Sequence, residues 1–93
     1  MKFFIIPDDG TVNIDNVYFE KLNLSSCGIP NNVHALQWKD NTGWIEFVDN
    51  LDKNKPANEI ITEIPIWAKN AINKWNEAKS AADNRIAATS VKE

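Results

Sequence analysis

The chain opens with a short apolar run, Phe3 to Ile6, after which apolar residues recur at every second position in Thr11 to Ile14 and Val17 to Glu20. Pro7-Asp8-Asp9-Gly10 has the residues of a tight turn. Asp15-Asn16 supplies two residues that tolerate positive φ, as a two-residue hairpin loop requires. These signals predict a three-stranded antiparallel meander. In it Ile14 faces Val17, Val12 faces Phe19, Ile6 faces Thr11, Phe3 meets Ile14, and Ile5 pairs diagonally onto the Val12 side. One face then carries Phe3, Ile5, Val12, Ile14, Val17 and Phe19, a period-2 pattern that stays in phase through both turns. Phe4, Ile6 and Tyr18 fall on the other face, which is expected to be partly covered as well.

Lys21 to Asn32 reads as a connection, broken by Ser25-Ser26, Gly28 and Pro30-Asn31-Asn32 and pinned to the core by Leu22, Leu24 and Ile29. A second hairpin follows, with strands Val33 to Trp38 and Trp44 to Val48 around the loop Lys39 to Gly43. If Trp38 and Trp44 flank that loop as a pair, one face shows His34, Leu36, Trp38, Trp44, Glu46 and Val48. The opposite face then shows Val33, Ala35, Ile45 and Phe47, and a loop of this length leaves room for a bulge. Asp49 to Glu59 is polar and reads as a mobile loop, and Glu59 to Ile64 as an edge strand or an extended lead-in. Pro65 suits the first turn of a helix, where a missing N–H costs nothing. Ala68, Ile72, Trp75, Ala82 and Ile86, with Trp67, Ala71 and Ala78 alongside, have helical spacing. The expected fold is therefore α+β: an antiparallel sheet of four or five strands, an N-terminal meander plus a hairpin, packed on one C-terminal helix. A single domain spans residues 1–93, with a β-rich region over 1–64, the helix over 65–88 and a frayed tail over 89–93.

Composition supports a packed domain and narrows its class. Apolar residues make up 43% of the 93, and the four Trp and four Phe bring large areas to bury. The formal charge is −3, and the ten basic residues are scattered, without the basic stripe that phosphate neutralisation needs. No nucleic-acid partner is expected. Cys27 is the single cysteine, so no intrachain disulfide forms, which suits a reducing compartment. The run Met1 to Ile6 is too short for a leader and is stopped by Pro7 to Gly10. No stretch approaches the ~20 apolar residues of a membrane span, so no membrane association is expected.

Catalytic and cofactor chemistry find little to stand on. His34 and Cys27 are the only soft metal ligands, and Asp8 and Asp9 sit where turns favour Asp for local backbone bonding. A Cys27–His34 nucleophilic pair needs mutual contact and an orienting third group, for which the sequence gives no sign. Gly10, Gly28 and Gly43 are isolated and form no phosphate cradle. No catalytic residue, metal or cofactor is therefore assigned. The aromatic set carries the sharper hypothesis. Trp38 and Trp44 on one face with Leu36 form an apolar platform, and Trp is enriched at the centres of interfaces. The candidate partner or ligand surface is His34, Leu36, Trp38, Trp44 and Glu46. Against this stands the reading in which the helix lies across the same face and most of the four tryptophans, Trp67 and Trp75 included, are core.

Lys2-Phe3-Phe4-Ile5-Ile6-Pro7-Asp8-Asp9-Gly10, the block Asn32 to Trp38, the strand Gly43 to Phe47, the segment Asn58-Glu59-Ile60-Ile61-Thr62 and a closing helix with Trp75 together resemble a set of short tailed-phage proteins. The likeness spans most of the chain and is most specific at His34 to Trp38 with Gly43 to Glu46. Such proteins are loosely labelled tail or tail-fibre assembly proteins. The resemblance implies a non-enzymatic accessory role in virion building, in the host cytoplasm or on the virion. A protein partner is expected, either a phage tail component or a host protein, and the chain is expected to form a homo-oligomer. The alternative expectation is a counter-defence protein that binds a host defence enzyme or sequesters a small signalling ligand, with a pocket near His34, Trp38, Trp44 and Glu46.

Overall fold

The computed structural model describes residues 1–48 and 57–91, with side chains described as far as residue 84. The loop expected over 49–59 and the end of the expected tail, 92–93, therefore lie largely outside the described residues. Among the described residues six strands form one antiparallel sheet: β1 (Lys2–Ile6), β2 (Thr11–Ile14), β3 (Val17–Phe19), β4 (Val33–Lys39), β5 (Thr42–Phe47) and β6 (Glu59–Ile61). One helix, α1 (Ile66–Val91), follows. The α+β class is as expected. The sheet has more strands than the expected four or five, because the edge segment pairs on β5 in addition to the five strands of meander and hairpin.

The spatial order is β3-β2-β1-β4-β5-β6, which makes β1 a central strand paired on both sides. Its unbroken run Phe3-Phe4-Ile5-Ile6 fits that place, since a central strand presents apolar side chains to both faces. The meander adopts the expected register: Phe3 opposite Ile14, Ile6 opposite Thr11, Val12 opposite Phe19 and Ile14 opposite Val17. Ile5 stands directly opposite Val12. The turn that fixes it has Asp15 at φ 48° and Asn16 at φ 74°, the paired positive values of a type I′ turn. Asn13 Oδ1 accepts from Asn16 N–H at 3.1 Å, and Asp15 Oδ1 accepts from Lys2 N–H at 2.9 Å. At the other turn, a 3-10 segment Pro7–Asp9, Gly10 takes φ 62°, and a Cβ there would sit 2.5 Å from the Leu22 carbonyl oxygen.

The second hairpin corrects the expected pairing. Its loop is the two residues Asp40-Asn41, with Asp40 at φ 57°, and Lys39 pairs Thr42, Trp38 pairs Gly43, Gln37 pairs Trp44 and Leu36 pairs Ile45. Trp38 and Trp44 are thus not opposite one another. A slip of one residue sends every side chain of a strand to the other face. Leu36, Trp38, Ile45 and Phe47 share the core side, and Trp44 and Glu46 leave it. A bulge between Val33 and Ala35 then returns Val33 to the core side.

Phe3, Ile5, Val12, Ile14, Leu36, Trp38 and Ile45 pack in one cluster with Leu24, Cys27 and Val33 from the connection and its end, and with Ala68 and Ala71 of α1. The helix begins after Pro65, whose carbonyl accepts from the N–H groups of Ala68 and Lys69. Ala68 and Ala71 are fully buried, and their small side chains let the helix backbone approach the sheet. Trp75 anchors the next turns: its Nε1–H donates to the Val17 carbonyl at 2.8 Å, and its ring meets Phe19 edge-on at 6.0 Å. Trp38 stacks on Phe3 at 6.1 Å instead of on Trp67 or Trp75. Val17, expected inside, is 41% exposed, because β3 is the short edge strand.

Candidate functional site

The five residues expected to form one surface lie in three environments. Leu36 is fully buried and Trp38 is 5% exposed, with its Nε1–H donating to the Asp40 carbonyl at 3.0 Å. Both belong to the core beneath the helix. His34 is exposed at the bulge in β4. Only Trp44 and Glu46 remain together at a surface: Trp44 is 39% exposed, and its Nε1–H donates to Glu46 Oε2 at 2.9 Å. The core reading therefore holds for Trp38, and the surface reading is open for Trp44.

Following the registers across the sheet from Trp44 exposes a surface that the sequence pattern alone did not assemble. Tyr18 pairs Asn13, Asn13 pairs Phe4, Phe4 pairs Gln37, Gln37 pairs Trp44 and Trp44 pairs Ile60. Opposite residues share a face, so these six form one row across the whole sheet, about 24 Å long at the usual strand spacing. The row lies on the face away from α1. Tyr18 is 58% and Ile60 70% exposed, while Phe4, Asn13 and Gln37 are half-buried. Among the described residues no helix or strand packs over it; Phe4 and Ile6 are half-buried, in line with the expected partial cover, whereas Tyr18 is exposed. The signal for this face was present in the alternation, which already put Phe4, Ile6 and Tyr18 together. The slipped hairpin register kept Trp44 from joining them.

The row is uncharged, and the charges of this face stand on either side of it. Lys2 and Lys39 lie directly opposite each other one step toward the β1 N-terminus, both exposed and in no ion pair among the described residues. Like charges directly opposite cost stability, by a few tenths of a kcal/mol or more. Glu46, opposite Ala35, stands one step the other way. A shallow cleft of about 380 Å³ opens on the same face, lined by Lys2, Phe3, Phe4, Ile6, Asn13, Asn16 and Gln37. It includes none of the five expected residues. Asn13, one of the lining residues, accepts from the turn through its Oδ1 and carries two further donors on Nδ2.

Cys27 is buried in the core cluster, whereas His34 is exposed at the bulge in β4. Burial pushes the Cys27 thiol above its usual value, the nearby Lys74 ammonium opposes this, and His34 is not among the groups that move it. A reactive cysteine needs the reverse, a thiolate stabilised by positive surroundings. Cys27 instead helps seat the helix: its carbonyl accepts from Asn70 Nδ2–H at 2.9 Å. No group of three or more His, Cys, Asp or Glu side chains gathers at metal-binding distance among the described residues. No described helix is long and apolar enough to cross a membrane.

Comparison of the chain with protein-family models, with curated proteins and with solved structures finds no match in any of the three.

Proposed function

We propose that this chain is a non-enzymatic binding or assembly protein whose working surface is the open face of its sheet, occupied by a protein partner that brings a flat apolar surface of its own. One observation carries the reading: the row Tyr18–Asn13–Phe4–Gln37–Trp44–Ile60 crosses all six strands on the face opposite the helix, with Tyr18, Trp44 and Ile60 exposed. Contiguous exposed apolar surface on a small domain marks an interaction site more often than chance scatter does. Trp and Tyr concentrate at the energetic centres of such sites. The likeness to short phage proteins adds the biological context, an accessory role in tail or tail-fibre assembly, and that context rests on the likeness alone.

A second reading has its own support. The cleft at Lys2, Phe4, Asn13 and Gln37 falls within the ~300–1,000 Å³ range of small-molecule sites, which favours a counter-defence protein that sequesters a small ligand. Capture of the tagged chain from infected cells, followed by native mass spectrometry, separates the two. A tail or fibre subunit retained by the wild-type chain and lost with Trp44→Ser supports the assembly reading. A host defence enzyme, or a small-molecule mass on an otherwise pure chain, overturns it.

A further inference from the structure

We infer that the partner on the open face is a second copy of this chain, docked sheet to sheet across a two-fold axis that runs along the central row. The inference rests on the reading of that face as the working surface and names its occupant. For sheets packed with their strands aligned, two in-plane axes bring the faces of two copies together. An axis parallel to the strands places the Lys2–Lys39 pair of one copy over the same pair of the other, stacking like charges. An axis along the row reverses the strand direction instead. Each Lys39 then lies over the partner's Ala35, with the partner's Glu46 beside it on the adjacent strand, because Lys39 and Glu46 stand on adjacent strands on opposite sides of the row.

The same axis sets Phe4, Tyr18 and Trp44 each against its own counterpart, and offset aromatic pairs are favourable. Aligned sheets pack about 10 Å apart, a gap that a lysine and a glutamate side chain span together. Lys39 gains an acid, and Glu46 keeps its Trp44 bond through Oε2 while Oε1 stays available. The plane available is about 24 Å by roughly 20 Å, close to 500 Å² before side-chain relief. That is below the ~800 Å² per partner of a standard interface, which places the dimer among small, reversible contacts.

Sedimentation equilibrium over a concentration series, at low and at high salt, tests this with four chains: wild type, Lys39→Glu, Glu46→Lys and the double swap. Circular dichroism on each confirms that the fold is kept. The expected result is a salt-sensitive monomer–dimer equilibrium in which each single reversal weakens association by about tenfold or more and the double swap recovers most of it. Trp44→Ser, which leaves the core untouched, abolishes it. A chain that stays monomeric throughout, or a dimer indifferent to Trp44→Ser and to both reversals, overturns the inference. Running Trp44→Ser through the capture experiment distinguishes the two failures. A monomeric wild-type chain whose captured partner depends on Trp44 loses the second copy and keeps the binding face. A captured partner indifferent to Trp44 removes the face itself.

Discussion

Truncating Trp38 and Trp44 in turn separates the core from the surface, and the structure sets very different magnitudes for the two. Trp38 is 5% exposed, stacks on Phe3 at 6.1 Å, and donates its indole N–H to the Asp40 carbonyl. Large-to-small changes of a buried aromatic cost about 3–5 kcal/mol through lost transfer energy and the cavity left behind. The unpaired Asp40 carbonyl adds little, since a loop carbonyl can turn to water. A domain of this size has roughly 5–14 kcal/mol to lose, so Trp38→Ala removes a large part of its stability. At about 4–8 °C per kcal/mol, the melting temperature falls by roughly 12–40 °C. Trp44 already exposes 39% of its surface and bonds only the side chain of Glu46. Trp44→Ala should cost about 1 kcal/mol in the monomer. Urea titration followed by far-UV circular dichroism, at protein concentrations low enough to exclude association, measures both. A Trp38→Ala chain with near-wild-type midpoint, or a Trp44→Ala chain destabilised as strongly as Trp38→Ala, would refute the hairpin register on which the site is built.

Three further outcomes follow from named contacts. Gly43→Ala should destabilise by about 1–3 kcal/mol without any change of turn, because the added Cβ meets the Gln37 carbonyl oxygen and lies 2.8 Å from Trp38 Cε3; denaturant midpoints check it. Trp75→Phe keeps a ring against Phe19 but loses the bond to the Val17 carbonyl, for a cost of about 1–2 kcal/mol and faster amide exchange in β3, read by hydrogen–deuterium exchange. Cys27 gives a pH dependence. Its thiol pKa is raised on folding, so its contribution is fully present below the unfolded value near 9.0 and declines as pH rises through the higher folded value. Stability curves between about pH 8 and pH 11 should therefore fall more steeply for wild type than for Cys27→Ala, and parallel curves would contradict the burial of the thiol.

How far the fold was legible depended on what pinned each register. In the meander, Asp15-Asn16 admits one tight loop and the apolar positions flanking it agree on one face, so pairing could be read residue by residue. In the second hairpin two features misled. Gly43 looked like a loop residue, yet it lies in β5 beneath the Trp38 ring, where only the absence of a side chain lets the indole approach. Val33 and Leu36 are three residues apart and both join the core cluster on one side of the sheet, which a regular period-2 strand does not permit without the bulge at His34. With Gly43 assigned to a loop, Trp38 and Trp44 appeared as partners, and the candidate surface mixed core with solvent-facing residues. The helix was legible from spacing, and it runs to Val91, three residues beyond the expected end at 88. Its place over β2 and β3 was not, since that depends on Trp75 reaching a backbone carbonyl of the edge strand.

Hydroxyl-radical footprinting read by mass spectrometry tests the central claim most directly, because it reports each aromatic side chain separately. In the dilute chain Tyr18 and Trp44 should be modified readily and Trp38 should stay protected. In the assembled state, whether concentrated chain or captured complex, Tyr18, Trp44 and Phe4 should become protected together while Trp38 does not change. Modification of Tyr18 and Trp44 at equal rates in the free and assembled states would contradict the claim that the open face of the sheet is where this protein binds.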